Sequence, residues 1–206
     1  VHRGISIVTL VLRIITNTAA LAALGSLGGT IPALVLGAIG LALGVIHGVV
    51  LAKGEGYHNT PRGWFLLIID HTWSLPNTVV GSLFLALNLM FGNRVDSLAM
   101  AGRTTVVMRS GVARGFATTI GPVEAGTSPG IARHEYVHVL QSRIFGPLYL
   151  PSVIVNYVVA TILPYWLLYH DRTTRPIRNF GDYFLRGVYP HVWNEEWAYR
   201  VEGSPP

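Results

Sequence analysis

Apolar residues in this chain come in long, nearly unbroken runs, not in the alternation of a strand or the narrow stripe of a soluble helix. Ile5 to Leu24 contains a single charge, Arg13, and Ile31 to Ala52 contains none. At 1.5 Å per residue, runs of about 20 residues each cross a hydrocarbon core of about 30 Å. The linker Gly25 to Thr30 is uncharged, whereas Arg3 and Lys53 flank the outer ends of the pair. That asymmetry predicts a transmembrane helical hairpin with its tip away from the cytoplasm. Ile5 to Leu24 is long for a signal-peptide core and a second apolar run follows closely, so it reads as a retained anchor. Gly40, Gly44 and Gly48 recur every fourth residue. They predict a strip that another helix can approach closely, and a face for a larger membrane complex.

The pattern then changes. A polar loop from Lys53 to Gly63 precedes a third membrane-embedded region, Trp64 to Phe91, interrupted by Asp70, His71, Pro76 and Asn77. A kinked long helix satisfies it, and so does a short interfacial helix followed by Val79 to Phe91. Between Gly92 and Thr127 the apolar density falls. Two β-prone runs, Thr104 to Arg109 and Phe116 to Ile120, flank Gly111 and Gly115 and predict a β-hairpin outside the hydrocarbon, able to pair with an extended substrate. Ser128-Pro129 suits the start of a helix, and Gly146-Pro147 suits its end. Pro151 to Tyr169 is read as an apolar helix returning against the preceding one, kinked at Pro164. The predicted fold is mainly α, a polytopic membrane protein with a small extramembrane β-hairpin and a helical-hairpin metal site. Its segments are 1–63, 64–92, 93–128 and 129–206.

Composition agrees. Of 206 residues, 50% are hydrophobic and 12% charged, against about 25% charged in ordinary soluble domains. This argues against a cytosolic enzyme and against disorder. With no cysteine, a metal would have to be held by His, Asp or Glu. The net charge of +5 comes almost wholly from arginine, and the arginines lie between apolar segments. Anionic lipid headgroups, not nucleic acid, are therefore the expected partner.

The chemistry concentrates in His134-Glu135-Tyr136-Val137-His138, an HExxH motif. Histidines four apart share one helical face, so both imidazoles can reach one metal ion. Glu135, about 100° around, can take a proton from metal-bound water without being a ligand. Zn2+ is the expected ion, since it lowers the pKa of bound water towards 7. A third ligand is expected from Glu195 or Glu196. Glu195 is favoured because the small Ala198 on its face permits close helix approach, whereas Glu196 has Arg200 as an ion-pair partner four residues on.

HExxH followed by Glu195-Glu196-Trp197-Ala198 resembles the Glu-zincin metallopeptidases, especially membrane-embedded members such as the CaaX prenyl endopeptidase and the bacterial heat-shock membrane protease. The resemblance covers two short motifs. It implies zinc held by His134, His138 and Glu195, with Glu135 activating water. His134 to Tyr149 also resembles uncharacterised bacterial membrane proteins bearing HExxH.

The expectation is thus an integral-membrane zinc metallohydrolase, a peptidase acting on membrane proteins or peptides. The rival is an accessory or structural subunit of a larger membrane complex. Asp70 and His71, ionisable groups inside apolar sequence, are expected to orient a ligand histidine, to pair with Arg13, or to lie at the membrane interface beside Pro76. His47 reads as a hydrogen-bonded residue near a helix end. Arg94, Arg103, Arg109, Arg114, Arg133, Arg172, Arg175 and Arg178 argue for a site on the cytoplasmic side of a bacterial inner membrane. A re-entrant third region would reconcile that side with the orientation of the first hairpin.

Overall fold

The computed structural model describes residues 3–113 and 116–204. Arg114 and Gly115, used above, lie outside the described residues. The chain is mainly helical with a small three-stranded sheet.

Helices α1 (Arg3–Ser26) and α2 (Thr30–Lys53) form the hairpin that two uninterrupted apolar runs dictate, turning where Gly29 takes a φ of 105°. The glycine strip is buried against α1. A Cβ at Gly44 would stand 2.6 Å from the Arg13 carbonyl oxygen, and Gly40 and Gly48 press on Asn17 and Leu10 in the same way. The face expected to be open to a partner subunit is therefore used within the chain. The short Gly25–Thr30 linker presents α1 to it at high effective concentration.

The third region breaks instead of kinking. Helices α3 (Pro61–His71) and α4 (Leu75–Met90) meet at 87°, as in a broken span or a re-entrant loop. Thr60 caps α3 by accepting a hydrogen bond from the Gly63 amide, and Pro76 sits in the first turn of α4, where no N–H is needed. His47 meets α4 through a 2.7 Å hydrogen bond between its Nδ1 and Ser82 Oγ.

After the short helix α5 (Ser97–Met100) come strands β1 (Val106–Met108), β2 (Thr118–Ile120) and β3 (Val123–Ala125), in the order β1-β3-β2. The two β-prone runs do become strands, yet they do not pair with each other as expected. β3 lies between them, parallel to β1 and antiparallel to β2. The hairpin is β2–β3, turned by Gly121-Pro122 with Gly121 at a φ of 53°. Nor is the sheet a free appendage: Val106, Met108, Val123 and Ala125 share one core with Ile5, Leu51, Leu67 and Leu85.

Helix α6 (Ala132–Phe145), a 3-10 turn (Gly146–Leu148) and α7 (Tyr149–Ile162) form one helical run of 31 residues. The predicted hairpin of Pro129–Phe145 against Pro151–Tyr169 is not formed. Pro147 falls in the first turn of the 3-10 segment, where its missing N–H costs nothing, so helix resumes. The backbone bonds across the junction persist, Gly146 N–H to Ser142 O and Tyr149 N–H to Gly146 O, and the α3–α4 elbow adds side-chain donors to the carbonyls there. Ser74 Oγ donates to Ser142 O at 2.9 Å, Asn77 Nδ2 donates to Ser142 O and Gly146 O at 2.9 and 2.7 Å, and Trp73 Nε1 donates to Ile144 O at 3.1 Å. Three runs, Gly4–Ser26, Thr30–Lys53 and Ala132–Ile162, are long and apolar enough to cross a membrane.

The return is made by an irregular segment: a 3-10 turn (Tyr165–Leu168), α8 (Phe180–Asp182), a π-helix (Tyr183–Val188) and α9 (Tyr189–His191). It packs around buried Ala160, Trp166, Val188 and Val192. It delivers α10 (Trp193–Glu202) antiparallel across α6, with Asn194 beside Gln141 and Glu202 beside His134.

Candidate metal centre

Helix α6 begins at Ala132, because Ser128 to Ile131 form a turn closed by the Ile131 amide on Ser128 O at 3.1 Å. His134 and His138 then fall one turn apart, rings edge to face with centroids 5.0 Å apart. Ala198, fully buried, lets α10 lie close. Glu195 points at the pair: its Oε2 is 3.2 Å from His134 Nε2 and its Oε1 3.5 Å from His138 Nε2. One ligand atom from each of the three buried residues lies within 4.8 Å of the others. The group can hold a metal ion. Glu196 turns away and pairs with Arg200 at 2.5 Å.

Each imidazole is fixed from behind. His138 Nδ1 is 3.0 Å from Gln141 Oε1, and His134 Nδ1 is 3.2 Å from Glu202 Oε2. An acceptor behind Nδ1 orients each ring so that Nε2, which here faces Glu195, is the nitrogen that would meet a metal. Gln141 is itself held, donating to Asn194 O at 2.8 Å and accepting from the Tyr149 hydroxyl at 3.3 Å. Burial pushes the Glu195 carboxyl up, but its hydrogen bonds with His134 and His138 outweigh that and hold it at about 2. Burial and the Glu195 charge push the Tyr189 phenol well up.

Glu135 belongs to the same cleft. Its Oε2 accepts a hydrogen bond from Thr119 Oγ1 at 2.6 Å. A pocket of about 250 Å³ between β2 and α7 is lined by Glu135, His138 and Glu195. A second, of about 280 Å³, is lined by His134, Glu135, Tyr199 and Glu202. Ala117, Glu135 and Tyr189 border both. A larger groove, of about 910 Å³, lies between the α1–α2 hairpin and α4 and is apolar, without ionisable lining.

Asp70 and His71 do not reach the centre. Asp70 takes a bidentate pair from Arg143, at 2.8 Å from Nε and 2.7 Å from Nη2, accepts from the Tyr57 hydroxyl, and lies 3.9 Å from Arg13. Of the readings open for Asp70, pairing with Arg13 is formed, with Arg143 the stronger partner. Five residues beyond His138, Arg143 stands about 140° around α6, so the face meeting α3 is not the face bearing the histidines. His71 Nδ1 instead bonds Leu67 O at 2.6 Å. The groups that do orient the ligands, Gln141 and Glu202, carry a signal visible after the fact. Gln141 stands three residues from His138, and Glu202 two turns from Glu195 on one face. Thr119 carries none.

No protein-family model, curated protein or solved structure matches this chain.

Proposed function

We propose that this protein is an integral-membrane zinc metallohydrolase that cleaves peptide bonds. The observation that carries the reading is the convergence of His134, His138 and Glu195 on one point, with the Glu135 carboxylate lining the same pocket. The donor set suits zinc: two imidazole nitrogens and one carboxylate oxygen, each imidazole backed by an acceptor. Among the described residues the group counts three protein ligands. That supports a catalytic ion, which keeps a water position, over a structural one, which fills all four.

Zinc bound there would supply Lewis acidity and lower the pKa of a bound water. The remaining work falls to the chain. Thr119 Oγ1 donates to Glu135 Oε2 and holds the carboxylate beside the ligands, where its other oxygen can take the proton of the attacking water and pass it to the leaving amine. Gln141 and Glu202 hold the imidazoles. β2, at one edge of the sheet and lining the cleft through Thr118 and Thr119, offers backbone groups to an extended peptide. The resemblance of HExxH and Glu195 to Ala198 to the Glu-zincins supports the same assignment. We place the site at the cytoplasmic face of a bacterial inner membrane, on the arginines of the segments around it.

Glu135→Gln decides between enzyme and accessory subunit. It should retain zinc and lose hydrolysis of membrane-protein and peptide libraries, because an amide cannot accept the proton. A wild-type protein inactive on those libraries, together with a zinc closed by four protein ligands, would replace this reading with the accessory-subunit one.

A further inference from the structure

A pocket of about 370 Å³ opens where α3 and α6 begin, lined by Arg62, Gly102, Arg103, Ala132, Arg133 and Tyr136. It shares no lining residue with the metal centre. Three of its six residues are arginines and none is acidic. Arg103 Nη2 donates to Glu124 Oε2 at 2.9 Å and to Ala132 O at 2.8 Å, and its guanidinium lies 5.9 Å from the centre of the Tyr136 ring. Arg62 Nη2 donates to the Tyr136 hydroxyl at 3.3 Å. Among the described residues neither Arg62 nor Arg133 has an ion pair. Three guanidiniums thus gather at one pocket, and only Glu124 pairs with any of them.

A scattered surface arginine is simply solvated, but these converge, and they do so at a particular level of the molecule. Ala132 is the first residue of the run Ala132–Ile162, long and apolar enough to cross a membrane. Arg62 is the second residue of α3, which exposes Trp64, Phe65 and Ile68 just beyond it. The Trp64 indole N–H donates to Asn59 Oδ1 at 2.8 Å. That ring therefore has a polar end towards the loop and an apolar body on the helix surface, the disposition of tryptophan at a membrane–water boundary. Positive charge and exposed hydrocarbon meet at the same place.

We propose that this pocket binds the phosphate of an anionic membrane phospholipid, whose acyl chains follow the exposed apolar face of α3. Guanidinium forks match the oxygens of a phosphodiester, and the starts of two helices add partial positive charge. A zwitterionic headgroup would bring a cation of its own among the arginines. Free phosphate offers the same oxygens but gains nothing from Phe65 and Ile68. The proposal rests on the integral-membrane part of the reading above and is independent of the metal.

The test titrates dioctanoyl phosphatidylglycerol into full-length protein in neutral detergent and counts bound lipid by native mass spectrometry, with dioctanoyl phosphatidylcholine in parallel and inorganic phosphate as competitor. Phosphatidylglycerol should bind, phosphatidylcholine should not, and metal-free protein should behave as the zinc-loaded form does. Arg62 and Arg133 are exposed, so their replacement should leave the fold intact. Arg62→Ala and Arg133→Ala should each raise the concentration for half-occupancy about fivefold. Arg172→Ala, also exposed and outside the pocket, should leave it unchanged. An equal loss in Arg172→Ala would show diffuse attraction to a basic surface and overturn the pocket assignment. Displacement of the lipid by an equal concentration of inorganic phosphate would overturn the lipid in favour of a free anion. A protein that fails to enter vesicles of phosphatidylcholine and phosphatidylglycerol would overturn the membrane reading and this site with it.

Discussion

His134 and His138 each turn one nitrogen to Glu195 and the other to a fixed acceptor, so changes at these positions separate by what they remove. Purified protein should contain about one zinc. His134→Ala or His138→Ala should abolish it, and undiminished metal in both would sink the assignment. Glu195→Gln should weaken zinc far more than Glu196→Gln, whose native carboxylate is committed to Arg200; the opposite ranking would refute Glu195 as ligand. Gln141→Leu leaves all three ligands in place and removes the acceptor behind His138. Zinc affinity should fall by about 10- to 100-fold, measured by competition with a chelator. A different residue-scale effect is expected at Asp70. With side chains 3% and 2% exposed, Arg143 and Asp70 form a buried pair, and Asp70→Asn strips Arg143 of its counter-ion. That should cost about 3–5 kcal/mol of stability with zinc stoichiometry retained in the folded fraction. An unchanged denaturant midpoint would show that the pair is not buried as described.

Close approach and satisfied breaks govern the elements. The hairpin of α1 and α2 holds because glycines let two backbones touch, so a side chain at Gly44 must push against the Arg13 carbonyl. Gly44→Val should destabilise by about 1–3 kcal/mol or more. Gly4→Ala, which meets nothing within 4 Å, should stay within about 0.5 kcal/mol. Thermal unfolding in one detergent compares them, and equal midpoints would remove the glycine strip as the cause of the close packing. The 31-residue run through α6 and α7 packs against the α3–α4 elbow. Side chains of Trp73, Ser74 and Asn77 donate to the carbonyls around Gly146 and tie the elbow to the junction of the run.

At the scale of the whole molecule the proposed centre makes two further predictions, on pH and on sidedness. Protons compete with the metal for both imidazoles and for the carboxylate, so zinc retention should be complete near pH 7 and fall as the solution is acidified through about pH 6 to 5. Retention unchanged at pH 4 would argue against a site with two histidines. The absence of native cysteine makes sidedness directly measurable. A cysteine placed at Thr118, on the strand lining the cleft, should be labelled by an impermeant maleimide only once the cytoplasmic face is opened. Labelling from the outside alone would reverse the assigned orientation.

The long helices, the HExxH face and the competition between Glu195 and Glu196 were legible in the chain because each depends on spacing along one element. Apolar runs longer than a bilayer is thick specify helices whatever their neighbours, and residues four apart meet on any α-helix. Contacts between elements were not legible. Val123 to Ala125 is three residues long with a charge at its centre, too short for any periodicity; as the middle strand it buries Val123 and Ala125 in the core while Arg103, Thr105 and Thr127 satisfy Glu124. Gly146-Pro147 carries the signature of a helix end, yet the helical run continues because backbone bonds bridge the junction, where an elbow some 70 residues earlier packs and adds donors. Asp70 likewise found Arg143 instead of a ligand histidine. Which face of α6 meets α3 and which meets α10 is settled by how all the helices pack together, and that is a property of the tertiary structure.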